Sequence, residues 1–160
     1  MPSILTTIES NMATLIGSMR IANGYNYDWG TVNQPDPALC DFPRAMVYVS
    51  DEVGNDDPEG AWAGAYWNDA TFTIAIDAPI DVITSVPEVS ANAKLNDALD
   101  DLKSLFGSNP SLSDAGNLPV LYKGSTREMY RNGDWFLPKH LLTTWSLRYI
   151  QDRSNPSQIG

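Results

Sequence analysis

Between Ser3 and about Arg20 the apolar residues fall at Ile4, Leu5, Ile8, Met12, Leu15, Ile16 and Met19, with Thr6, Glu9 and Ser10 left for solvent. This is helical spacing with one apolar stripe, so it predicts a helix that needs a single partner surface. Ser3 is placed to cap its start, and Asn23-Gly24 offers a left-handed residue to stop it. The period then changes to two. Tyr25, Tyr27 and Trp29 alternate with Asn26, Asp28 and Gly30, which predicts a strand over residues 25–32. Pro35, Pro37 and Pro43 make the following stretch a loop. Arg44–Ser50 (RAMVYVS), apolar on both faces, reads as a central strand.

Asp51–Gly60 (DEVGNDDPEG) reads as a polar connection, and Tyr66–Ala78 as a third strand with Phe72, Ile74 and Ile76 on one face. Helical spacing returns at Leu95, Ala98, Leu99, Leu102, Leu105 and Phe106, predicting a second helix over about 92–106. Ser90 or Asn92 would cap it, Gly107 would end it, and Asp97, Asp100 and Asp101 would form its charged face. Strands are expected at Leu118–Lys123, at Thr126–Arg131 and from about Lys139 to Ile150. The chain reads as one domain over residues 1–153 with a frayed tail over 154–160. Hairpin-length connections and singly striped helices predict an α+β fold, two helices packed on one face of a mostly antiparallel sheet. Ile8, Leu15, Leu99, Leu102 and Phe106 should then be buried together with Val47, Ile74 and Leu147.

Composition changes this picture little. A chain of 160 residues that is 42% hydrophobic and 19% charged is ordinary for one globular domain. Charge changes it more. A formal net charge of -10 argues against a reader of duplex DNA, which carries a basic face to neutralise phosphates. The N-terminus lacks the basic start of a signal peptide and no stretch is apolar enough to span a membrane, so a soluble protein made in a cytoplasm is expected. A single cysteine, Cys40, and a single histidine, His140, exclude an intrachain disulfide and leave a Cys/His zinc site short of ligands.

Candidate chemistry is sparse. His140 would be the base of any triad, yet no GxSxG elbow occurs, so it reads as a surface or half-buried residue at a strand start. Cys40 has no basic neighbour in sequence to lower its pKa. Asp51, Glu52, Asp56, Asp57 and Glu59 are the best metal candidate, but the EF-hand order is missing and a solvated acidic loop is the plainer reading. Neither phosphate-binding glycine motif is present. No enzyme, cofactor or metal is expected. What stands above background is charge asymmetry. Residues 118–153 hold six basic side chains against three acidic ones, and the rest of the chain holds four against seventeen. Subunits with unlike patches can stack head to tail into a ring.

The ordered set GYNYDWGTV (Gly24–Val32), FPRAMVYV (Phe42–Val49), WNDATFTIAI (Trp67–Ile76), KLNDALDDLKSLFG (Lys94–Gly107) and TTWSLRYIQD (Thr143–Asp152) resembles the tail terminator proteins of long-tailed bacteriophages, also called tail completion or minor tail U-like proteins. The resemblance runs from about Ile4 to Asp152 and lies in order and spacing; NDDPEG (Asn55–Gly60) matches only loosely. It implies a homo-oligomer, a hexameric ring in the virion at the head–tail junction. Such a ring caps the tail tube, ends its polymerisation and offers the surface that joins the head. The implied partners are the tail tube protein and a head-completion or neck protein, with no membrane and no required cofactor. DNA would pass an acidic lumen without specific binding. Two alternatives stay open: another head–tail joining or neck protein, and a small hydrolase using His140 with an Asp. The interface expected of a ring would bring the acids Asp51, Glu52, Asp56, Asp57 and Glu59 to Arg127, Arg131 or Arg148 of a neighbour, with Trp62, Tyr66 and Trp67 as apolar anchors.

Overall fold

The computed structural model describes residues 3–34, 42–55, 65–77, 88–109, 119–132 and 135–152. Helix α1 spans Ile4–Gly17, followed by a 3-10 turn at Ile21–Asn23 and strand β1 at Thr31–Val32. Strands β2 (Arg44–Asn55) and β3 (Ala65–Asp77), helix α2 (Glu88–Ser108) and strands β4 (Leu121–Asn132) and β5 (Trp135–Asp152) complete the order. The strands form one five-stranded sheet in the order β1-β2-β3-β5-β4, antiparallel throughout except for the β1–β2 pair. This is the expected α+β fold.

The core is a single layer between the two helices and one sheet face. Ile8, Met12 and Ile16 of α1 and Leu95, Leu102 and Phe106 of α2 are buried in one cluster with Val47, Phe72, Ile74, Leu141, Trp145 and Leu147. These sheet residues occupy one face by register, so both helices cover that face. Leu15 departs from expectation: it is only partly buried, and its neighbour Ile16 takes the core position.

Local chemistry sets the ends of α1. The Ser3 hydroxyl accepts from the Thr6 N–H at 3.1 Å. At the other end the Ser18 hydroxyl donates to the Leu15 carbonyl at 2.6 Å, and Arg20 donates to the carbonyls of Gly17 and Met19. The helix therefore closes before Asn23-Gly24, and Gly24 (φ 94°) ends the 3-10 turn instead.

Strand β2 is longer than its apolar run. It continues through the expected polar connection as far as Asn55, with an irregularity between Val49 and Asp51. The extra residue resets the pleat, so that Glu52 takes the helix-facing side opposite Ala70. Outside β2 the sheet edge is closed by side chains. Asn33, in left-handed conformation at φ 58°, accepts from the Val47 N–H at 2.8 Å, and Glu9 of α1 accepts from the Val49 N–H at 2.7 Å.

The two strands expected over residues 118–131 are one, β4, with irregularities at Tyr122/Gly124 and Glu128/Met129. Gly124, at φ 150°, takes up the first of these. The strands also end at different heights. Pairing of β3 with β5 stops at Asp77↔His140, while β4 and β5 pair on to Asn132↔Trp135. At the opposite end β4 begins opposite Ser146, while β5 follows β3 to Asp152.

Candidate functional site

Among the described residues the most demanding polar site is a carboxylate that the sequence places on a solvent face. Asp101 of α2 is 3% exposed. Its Oδ1 accepts from the Asn26 N–H at 2.8 Å, and its Oδ2 accepts from the Tyr27 N–H at 3.2 Å and the Trp29 indole at 2.9 Å. The Asn26 amide and Tyr27 hydroxyl add bonds to the carbonyls of Asp97 and Lys94. These bonds explain why the alternating segment 25–30 is a loop and not a strand. Its Asn26 and Tyr27 N–H groups go to a side chain of α2, those of Tyr25 and Trp29 go to the Arg20 and Met19 carbonyls, and only Thr31 and Val32 reach the sheet. A carboxylate so occupied is a structural clamp.

The clamp leaves a titration signature. Burial, then the carboxylates of Asp97 and Asp101, push the Tyr27 phenol up to about 12. The fold stabilises the neutral phenol, so this contribution is intact below an ordinary tyrosine pKa of about 10. It is lost as pH rises through about 12. An absorbance titration, differenced against Tyr27→Phe, is expected to show this phenol ionising well above a free tyrosine, and Asp97→Asn should lower its midpoint. A Tyr27 that titrates near 10 in the folded protein contradicts the clamp. Burial and Glu52 push the buried Tyr149 phenol up in the same way.

The sheet face away from the helices carries the remaining charged groups. Register aligns Arg44, Asp77, His140 and Glu128 across its four long strands at one end. Arg44 donates to Asp77 Oδ2 at 3.2 Å, and His140 Nδ1 lies 2.9 Å from Asp77 Oδ1. The second contact is close without being aligned as a hydrogen bond, since the buried Oδ1 accepts none. His140 is half-buried as expected, but it lies inside β5 and not at a strand start, because the strand begins at Trp135 and pairs with β4 from there. The hydrolase alternative finds its Asp in Asp77, which lies beside His140.

Beyond this row the open face is small and hydroxylated, with Ala75, Thr73, Thr71, Thr144, Ser146 and Thr126 between the larger Met46, Tyr48, Leu142 and Leu121. At the far end Arg148 makes two bonds to Asp69, at 2.7 and 3.1 Å. The guanidinium holds the Asp69 carboxyl below the usual carboxylate range. Beside this pair a cavity of about 630 Å³ is lined by Asp69, Pro119, Leu121, Lys123, Leu147 and Arg148.

The residues nominated for a subunit interface are placed as follows. Asp51 and Glu52 are exposed on β2. Tyr66 and Trp67 lie on β3 and Arg131 on β4, where the backbone alone is described. Asp56, Asp57, Glu59, Trp62 and Cys40 fall outside the described residues. Two basic candidates have partners in their own chain: Arg148 is paired with Asp69, and Arg127 donates to the Asn96 side chain of α2. Their strand positions put a carboxylate and an amide within reach, which net charge along the sequence does not reveal. Among the described residues no three His, Cys, Asp or Glu side chains converge as metal ligands, and no helix is long and apolar enough to cross a membrane. Compared with known proteins, the chain matches no family model and no curated sequence.

Proposed function

We propose that this chain is a structural subunit that assembles head to tail into a ring, caps a phage tail tube, ends its polymerisation and offers a surface to the head. The observation that carries this reading is the one-sided, open-ended build of the domain. Both helices cover one sheet face, and among the described residues no element covers the other. Its strands run past one another at both ends, so each end differs from the other. Unlike ends favour heterologous contacts, which close into rings when the rotation permits. Along the chain the described elements follow as helix, aromatic segment, antiparallel strand pair, helix and antiparallel strand pair, the order in which the quoted motifs carry the terminator resemblance.

The direct test adds the purified protein to tail tube subunits during elongation. Tubes are expected to stop at the length reached on addition, with a cap at one end. Tubes that elongate as if nothing were added overturn the proposal. A chain with net charge -10 is also expected to let duplex DNA pass a ring without adhering. A mobility-shift assay should therefore find no binding at micromolar protein. Tight binding that weakens steeply with salt would reveal a phosphate-contacting surface and contradict this expectation.

A further inference from the structure

We propose that Glu9 of α1 and Asn33 are plugs that keep the outer edge of β2 from accepting the same strand of a second copy of this chain. The inference is independent of the ring, since it concerns a contact that the fold prevents.

Among the described residues β1 is the only strand beyond β2 in the sheet, and it pairs with Arg44 and Ala45 alone. The residues that follow have the composition of a strand that adds to others. Ala45–Ser50 (AMVYVS) carries no charge, proline or glycine, and Val47, Tyr48 and Val49 at its centre are β-branched or aromatic. A strand of this kind near a sheet edge templates pairing between copies unless something blunts it. Here side chains do so. Asn33 Oδ1 accepts from the Val47 N–H at 2.8 Å, and Glu9 Oε1 accepts from the Val49 N–H at 2.7 Å.

Each plug is held by its own element. Asn33 sits at φ 58°, a left-handed conformation that turns the chain just past β1. Its own N–H reaches the Ala45 carbonyl at 2.8 Å while its side chain takes the Val47 N–H, so one residue continues the β1 ladder where no strand follows it. Glu9 is the one charged residue of α1, and the helical pattern assigns it to solvent. It turns to the sheet instead, on a helix fixed against the core by the buried Ile8 and Met12. A carboxylate accepts a stronger hydrogen bond from an N–H than a backbone carbonyl does, so at Val49 the plug outcompetes an incoming strand.

The strand that this edge fits is a second β2. About a two-fold axis at Tyr48, two antiparallel copies would set Val47 opposite the partner's Val49 and exchange the N–H groups that the plugs now hold. Tyr48 would then face the partner's Tyr48 at a position without backbone bonds, where Cα atoms lie about 4.5 Å apart.

That geometry supplies the test. On a Cys40→Ser background, Tyr48→Cys is the reporter; Tyr48 is 45% exposed, so a thiol there is accessible. Glu9→Ala with Asn33→Gly removes both plugs, and each replacement suits its backbone, alanine in a helix and glycine at positive φ. Under mild oxidation the unplugged chain is expected to form disulfide-linked dimers at least ~10-fold faster than the plugged one, the ratio that loss of one hydrogen bond to a charged group supports. Each single variant should fall between the two, so the result does not hang on the double variant folding. Glu9→Gln keeps an oxygen acceptor in place and should behave as the plugged chain. Asp97→Cys, on the exposed face of α2, replaces the reporter as a control and should stay monomeric in the unplugged chain. Equal dimer formation with and without the plugs in the double and single variants overturns the proposal. Dimers formed as readily through position 97 as through position 48 overturn it too, because chains would then be meeting without a specific edge.

Discussion

Asp101→Ala is expected to destabilise the fold by about 3–5 kcal/mol. The substitution strips the partner from the N–H groups of Asn26 and Tyr27 and from the Trp29 indole at once. A buried donor left without an acceptor costs ~1–3 kcal/mol, and those of Asn26 and Tyr27 are near enough to the surface to recover part of this from water. Trp29 is fully buried and cannot. Asp101→Asn keeps the shape but turns a two-oxygen acceptor into one oxygen and an NH₂ group facing the same donors, so most of the loss should persist. Urea unfolding followed by tryptophan fluorescence measures it. A change below ~0.5 kcal/mol, the size of an ordinary surface substitution, would show that the loop does not depend on this carboxylate.

Trp145→Ala is expected to cost a similar ~3–5 kcal/mol, by a different route. Trp145 is 2% exposed and packs against Phe106 and Tyr122 with ring centroids 4.9 and 5.0 Å away. Removing the indole opens a cavity where α2 meets β5 and takes away the ring that Tyr122, itself in contact with Lys103, packs against. The indole N–H donates to the Thr143 hydroxyl at 2.7 Å, which itself donates to the Ile74 carbonyl at 2.8 Å. Thr143→Val keeps the volume and deletes this relay, so it isolates the polar part at ~1–3 kcal/mol. At this chain length each kcal/mol moves the midpoint by ~2–4 °C, so thermal melts separate the two variants. Equal losses from both would mean that the relay, and not the packing, holds the helix to the sheet.

Legibility of the fold followed how local each determinant is. Both helices and the strand over 66–78 announce themselves by period, because each buries one stripe against one surface. The segment 25–30 carries the period of a strand and is a loop, since its Asn26 and Tyr27 N–H groups are claimed by Asp101, more than seventy residues away in sequence. The same contact hid Asp101 among the acids of α2, where Asp97 and Asp100 are exposed as expected. The extension of β2 into Asp51–Asn55 was hidden by polarity. An irregularity at Ser50 resets the faces, and pairing with β3 supplies what hydrophobic alternation does not. The charged patches were visible as composition, but the partners of Arg127 and Arg148 depend on which residues stand across the sheet and beneath the helix. No pattern along the chain specifies those neighbours.

The proposed function requires copies of this domain to close into a ring at the end of a tube. Negative-stain imaging of the purified protein incubated with preformed tail tubes tests it most directly. Closed rings of one copy number, each with a central hole, are expected on one end of each tube. Tubes with two bare ends beside dispersed monomers would contradict it.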